Sequence, residues 1–268
     1  IVLAFVYLLL PQTTNAGVND FVIHLFDAKY ELDNDIRGGR MLVTEKVFLS
    51  YSDNNHGILR SIPNKYKNHT LDVKVGSVTR NGRSEPFTTS KKNNNLVLKI
   101  GSPNETITGY QAYKITYSMR NIVSFYDEHD EWYWDINGDE WSQPFEKVRA
   151  EVVMPQMSTA DNLPSPKCFT GYFQSSTQAC SIESTDSGYI IETTDTLLPN
   201  QTLTAAVAIP KGVFVRPTVQ DWIRDNLVQL VGLLVSALGV LYLSRLGWHH
   251  GKDITGRGVI VPQYEVPY

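Results

Sequence analysis

Residues 127–141 (DEHDEWYWDINGDEW) gather seven carboxylates and three tryptophans around an Asn137-Gly138 turn. Three chemistries suit that composition. A calcium loop would draw oxygen from Asp135, Asn137 and Asp139 at alternating positions, with Gly138 giving the turn, although the EF-hand order puts its glycine after the third ligand and a bidentate glutamate much later. A glycosidase would stack a sugar on tryptophan faces and use two acids for proton work, but so short a stretch does not display the separation those acids need. In the third reading the segment is an aromatic hairpin. Trp132, Trp134 and Ile136 then share one strand face and bury, while Tyr133 and Asp135 point away. The candidate binding residues of the stretch are Asp127, Glu128, Asp130, Glu131, Trp134, Asp135 and Asp139.

A second segment, residues 56–63 (HGILRSIP), sets a histidine and an arginine among apolar residues bracketed by glycine and proline. An arginine so held suits bidentate recognition of a carboxylate or phosphate, which makes His56 and Arg60 further candidates. The alternative has Ile58 and Ile62 plugging the core while Arg60 forms an internal ion pair. A lone histidine carries no metal signal, so no metal or cofactor is expected beyond the calcium alternative. The chain has no G-x-S-x-G elbow, no H-E-x-x-H and no phosphate-binding glycine loop. The reading therefore leans away from an enzyme, although distant strands can also bring catalytic groups together.

The elements that must position these residues read as strands. Phe21, Ile23 and Leu25 alternate with Val22 and His24, Tyr30 and Leu32 follow, and a polar Gly-Gly turn leads into a second β-rich run at 41–51. Leu71, Val73 and Val75 alternate up to Asn81-Gly82, a two-residue hairpin signal. Further strands are expected at 96–100, 110–119, 131–136, 147–154, 188–193 and 202–209, and no helix-period stretch occurs before Val219. Many short strands at this spacing predict an antiparallel, Ig-like β-sandwich over 17–218, as one large sandwich or two small ones divided near 120–146. The Pro/Ser-rich stretch 155–166 is expected to be a long loop.

Residues 227–243 (LVQLVGLLVSALGVLYL) form an uncharged apolar run. With its flanks, 219–246, it is long enough to cross a bilayer as a helix. Residues 1–10 are apolar and lead to the small-x-small triplet Thr14, Asn15, Ala16, so 1–16 reads as a signal peptide that begins inside its own apolar core. Arg245, His249, His250, Lys252 and Arg257 follow the apolar run, which directs the C-terminal side to the cytoplasm. Cys168 and Cys180, the chain's two cysteines, both fall in the exported part and are expected to form a disulfide there. The formal net charge of −4 argues against a nucleic-acid partner.

HGILRSIP, EWYWDINGDEW (131–141) and VPQYEVP (261–267), with the Val43-Thr44-Glu45 step after a Gly-rich turn, together resemble the bacterial predicted-membrane-protein family called domain of unknown function 2207. The resemblance covers nearly the whole chain in order. Relatives usually carry Leu-Tyr-Trp-Asn where this chain has Trp132-Tyr133-Trp134-Asp135, and they continue where this chain stops at Tyr268. The resemblance implies a signal peptide, a β-rich ectodomain, one transmembrane helix and a cytoplasmic region of which 247–268 is the start. It supplies no reaction. The expectation is a single-pass protein of the cell membrane whose partners are the lipid bilayer and an envelope protein or glycan. Both unusual segments are expected to be largely structural, and an Arg60 bonded in the interior to one of the hairpin acids would make the shared motif a packing pin.

Overall fold

The structure is a computed structural model that describes residues 21–66, 69–155 and 163–250. The expected signal peptide, the middle of the 155–166 loop and the expected stretch after residue 250 lie outside the described residues. Two compact units result, 1–216 and 217–268.

The first unit is built from strands β1 (Phe21–Asp33), β2 (Arg40–Asn55), β3 (Ile58–Pro63), β4 (Lys65–Tyr66), β5 (His69–Thr70), β6 (Lys74–Arg80), β7 (Arg83–Ser84), β8 (Phe87–Lys92) and β9 (Asn95–Ile100). It continues with β10 (Ile107–Arg120), β11 (Ser124–Phe125), β12 (Asp130–Asp135), β13 (Val148–Val153), β14 (Lys167–Gly171), β15 (Cys180–Thr185), β16 (Gly188–Thr193) and β17 (Thr202–Ile209). An eight-stranded sheet runs in the order β15-β16-β13-β1-β2-β10-β6-β7. The smaller sheets are β11-β12-β17-β14, β3-β9-β8 and β4-β5. The expected all-β sandwich is therefore present, antiparallel throughout its named strand pairs except for β1 and β13, which run parallel.

Alternation explains the long strands. On β2, Met41, Val43, Glu45, Val47, Leu49 and Tyr51 face inward while Leu42, Phe48 and their alternates meet solvent. β1 begins in the expected phase with Phe21 and Ile23 inside, but its register shifts between Ile23 and Leu25. That bulge hands the inward face to Phe26, Ala28, Tyr30 and Leu32, so Leu25 leaves the core phase that alternation had assigned to it. Polar strands such as β8 (FTTSKK) and β15 (CSIEST) carry too little apolar signal to be read in advance.

The core forms where the smaller sheets cover the inner face of the large one. Tyr30 of β1 packs on Trp132 of β12 with ring centroids 5.7 Å apart, and Phe145 meets both Phe26 and Trp141 edge-on. Cys168 of β14 and Cys180 of β15 form the expected disulfide. Since β14 and β15 are edge strands of different sheets, the bond staples the sandwich along one side.

The second unit contains α1 (Val219–Asp225) and α2 (Leu227–His250). Thr218 caps α1 in a reciprocal box with Asp221, and Asn226 ends it. The expected single span thus starts later than residue 219, at Leu227, because Asn226 separates the two helices. α2 is apolar on every side and is the one helix among the described residues long and apolar enough to cross a membrane. Its Ser236 hydroxyl donates back to the Gly232 carbonyl at 2.8 Å, so no polar group of that side chain needs water.

Candidate functional site

Glu45 sits on the inward face of β2 between Val43 and Val47 and is fully buried. Its carboxylate is met end-on by Arg60 of β3, with Nη2 at 2.6 Å from Oε1 and Nε at 2.8 Å from Oε2. Tyr117 of β10 adds a third donor to Oε1 at 2.6 Å. The guanidinium is sandwiched between the Phe26 and Trp141 rings, 5.5 and 5.9 Å from their centroids. Its remaining nitrogen, Nη1, donates to the carbonyls of Ser61 and Asn137 at 2.7 and 2.9 Å. Burial opposes the arginine's charge, but the Glu45 carboxylate outweighs it and holds the guanidinium pKa above its ordinary value. Burial first, and then Glu45, pushes the Tyr30 and Tyr117 hydroxyls well above the ordinary tyrosine range.

Asn137 extends this network into the hairpin. Its carbonyl takes the Trp141 indole N–H as well as Arg60, its side-chain amide donates to the Gln201 carbonyl, and its side-chain oxygen accepts from the Leu203 amide. Gly138 follows with φ +74°, and a Cβ there would stand 3.1 Å from Arg60 Nη1. The Asn-Gly pair is therefore the lid over the arginine, and side chains with a Cβ fit poorly there.

In front of this pin lies a cleft of about 450 Å³. Asn55, His56 and Leu59 from the β2–β3 corner form one wall, Lys99 and Ile100 of β9 another, and Glu140, Ser142 and Gln143 the third. Phe21, Ile58 and Ile100 give it an apolar floor. His56 Nδ1 donates to the Glu105 carbonyl at 2.8 Å, so the neutral ring presents Nε2 as an acceptor. Glu140 is steadied by Ser61 Oγ and Asn95 Nδ2, each at 2.7 Å. An apolar floor with a histidine, a lysine and a carboxylate at the rim can hold a ligand that has an apolar body and polar ends.

The two singled-out segments thus do meet, at the pin and at the cleft, although several candidate residues take other roles. Arg60 is not open to an outside carboxylate or phosphate, because Glu45 and two carbonyls occupy its donors. Its partner is Glu45 and the hairpin backbone; none of the hairpin acids reaches it. Trp134 is buried at 4% exposure and offers no face to a sugar. Asp130 is buried and paired with Lys211 at 2.7 Å. Asp127 and Glu128 are exposed before β12, and half-buried Glu131 accepts from Tyr126 at 3.4 Å. Asp135 takes the Thr204 hydroxyl and Asp139 is exposed. Asn137, the middle ligand of the calcium reading, is lost to the Leu203 amide, and no group of three His, Cys, Asp or Glu residues suited to a metal occurs among the described residues. His56 alone of the candidates lines the cleft. Glu45 was missed, yet its position in phase with five apolar residues on β2 was a visible signal of a buried carboxylate needing a partner. Glu140, Ser142 and Gln143 carried no such signal.

The model of the family described as predicted membrane protein (DUF2207), N-terminal domain, matches residues 22–209. No curated protein matches the chain. Among solved structures, native leukotriene A4 hydrolase from Saccharomyces cerevisiae aligns with 70% of this chain and 29% of its own at 9% identity and a TM-score of 0.43. An M1 zinc metallopeptidase from Deinococcus radiodurans aligns with 69% of this chain and 42% of its own at 9% identity and a TM-score of 0.37. The chain spans less than half of either structure, and likeness at that level bears on neither activity nor ligand.

Proposed function

Because the chain belongs to the DUF2207 family of predicted membrane proteins, we propose that it is a single-pass anchored module whose β domain faces outward and binds an envelope protein or glycan. The observation that carries this reading is the cleft in which residues 56–59 and 140–143 come together. It has the apolar floor and the few convergent polar groups of a recognition site. The disulfide supports an oxidising, extracytoplasmic setting for the domain. Arg245, His249 and His250, which close the apolar helix, with Lys252 and Arg257 beyond it in sequence, support a cytoplasmic C-terminal side.

A photo-crosslinking residue placed at Leu59, which lines the cleft and is 52% exposed, tests the reading in the full chain expressed in its native cell. A discrete adduct is expected from Leu59, diminished when Ser142→Trp fills the cleft, and none from the same residue at Thr89 on β8. No Leu59 adduct from either membranes or wall material would overturn it.

A further inference from the structure

On the outer face of the eight-stranded sheet, Ser50 of β2, His24 of β1 and Glu146 stand in a line. Ser50 Oγ lies 2.8 Å from His24 Nε2, and His24 Nδ1 lies 2.9 Å from Glu146 Oε2. We propose that these three residues form a nucleophile–base–carboxylate triad that cleaves uncharged carboxylic esters.

The geometry assigns the protons. An ionised carboxylate only accepts, so Nδ1 carries the imidazole proton toward Glu146 and Nε2 is left with the lone pair that faces the serine hydroxyl. That tautomer is the one a general base requires. The local backbone explains how a histidine comes to be there. His24 occupies the bulge between Ile23 and Leu25, and a bulge re-aims the side chain it carries. Glu146 is fixed beside it, its amide donating to the Ile23 carbonyl at 2.9 Å and its neighbour Phe145 bridging Ile23. The parts come from separate places in the sequence, which is why no local motif marks them.

An ester also has something to lie against. Tyr110 pairs directly across from Ser50, is 80% exposed, and tilts its ring toward His24 at 5.5 Å. Phe48, two residues from Ser50 on the same face, is 38% exposed. Two exposed aromatic rings of this kind favour an apolar acyl or aryl group. His24 and Ser50 are both partly open to solvent, so the reacting atoms can be reached.

In the reaction Ser50 Oγ attacks the ester carbonyl carbon as its proton passes to His24 Nε2. The carbon–oxygen bond to the alcohol then breaks, and the leaving oxygen takes that proton. Water attacks the acyl-serine, giving one proton to His24, which returns it to Ser50 Oγ as the carboxylic acid departs. One ester and one water thus become one acid and one alcohol. Ser50 and His24 are catalytic residues here, and Glu146 is a positioning residue.

A fluorophosphonate probe tests the proposal on the full chain in detergent. The serine displaces fluoride, and intact-mass and peptide mass spectrometry are expected to find one phosphonyl group, on Ser50. His24→Gln is expected to slow that labelling by ~100-fold or more, and Glu146→Gln to slow it while leaving the melting temperature near wild type. Activated aryl acetates should then be hydrolysed by the wild type and not by Ser50→Ala. No adduct on Ser50 of the wild-type chain, or labelling that His24→Gln leaves unchanged, overturns the proposal. The wild-type result stands whether or not any variant folds.

Discussion

Arg60 and Glu45 meet bidentately across the interface between two sheets, 2.6 and 2.8 Å apart and almost wholly out of water. Every nitrogen of the guanidinium and both carboxylate oxygens have a hydrogen-bond partner, so either residue without the other is a buried charge with nowhere to go. Glu45→Gln and Arg60→Met should each lower unfolding stability by about 3–5 kcal/mol. The triple variant Glu45→Leu/Arg60→Met/Tyr117→Phe should return to within about 2 kcal/mol of wild type, because it removes the charges and their donor together. Denaturant unfolding followed by tryptophan fluorescence decides this. Single variants within ~1 kcal/mol of wild type would be inconsistent with the pin.

Gly138 and Gly82 separate backbone conformation from contact. Both have φ near +80°, but a Cβ at Gly82 meets nothing within 4 Å, whereas one at Gly138 presses on Arg60. Gly82→Ala should cost about 1–2 kcal/mol from the left-handed backbone alone. Gly138→Ala should cost measurably more and red-shift or broaden tryptophan emission as buried Trp141 loses its seat. Equal costs for the two would remove the lid role.

With both cysteines joined, the chain presents no thiol to label. Maleimide should leave the protein from intact cells unmodified until a reductant is added, then modify two sites. Cys168→Ser should cost about 3 kcal/mol, as expected for a loop of this length. Immediate labelling of both thiols in native material would instead indicate a reducing compartment.

Asp135 meets solvent on one side, yet desolvation beneath it, together with Asp139, raises its carboxyl pKa above the ordinary 3.8, against the opposing Thr204 hydrogen bond. A carboxyl raised in the folded state stabilises the fold below the unfolded pKa, and that contribution is lost as pH rises through the folded value. Asp135→Asn, which keeps an acceptor for Thr204, should therefore melt higher than wild type at pH 7. The advantage should vanish below about pH 3.8. A melting difference independent of pH between 3 and 7 would show that ionisation is not the cause.

What could be read from the chain was local. The β1–β2 hairpin, the Asn81-Gly82 turn and the inward phase of Trp132, Trp134 and Ile136 all follow from alternation and turn chemistry. The internal ion pair of Arg60 was foreseen as an alternative, but its partner was not, since Glu45 lies on another sheet and Asn137 is 77 residues away. The bulge at His24 was hidden because one extra residue reverses every later side chain without any change in composition. The cleft was hidden for a related reason. Its lining comes from stretches far apart in the chain, and nothing in any one of them indicates that it faces the others.

The parallel pairing of β1 with β13 puts a strand from the beginning of the domain beside one that begins at Val148. As the chain emerges, β2 can close on one side of β1 at once, but the other side stays an open strand edge until β3 to β12 have been made and β13 follows. A strand from the middle of the largest sheet thus waits for its second partner while most of the domain is made. Until then its unpaired amides and carbonyls are open to pairing with any other extended chain, so the half-made domain carries its largest mispairing hazard in what becomes its most protected strand.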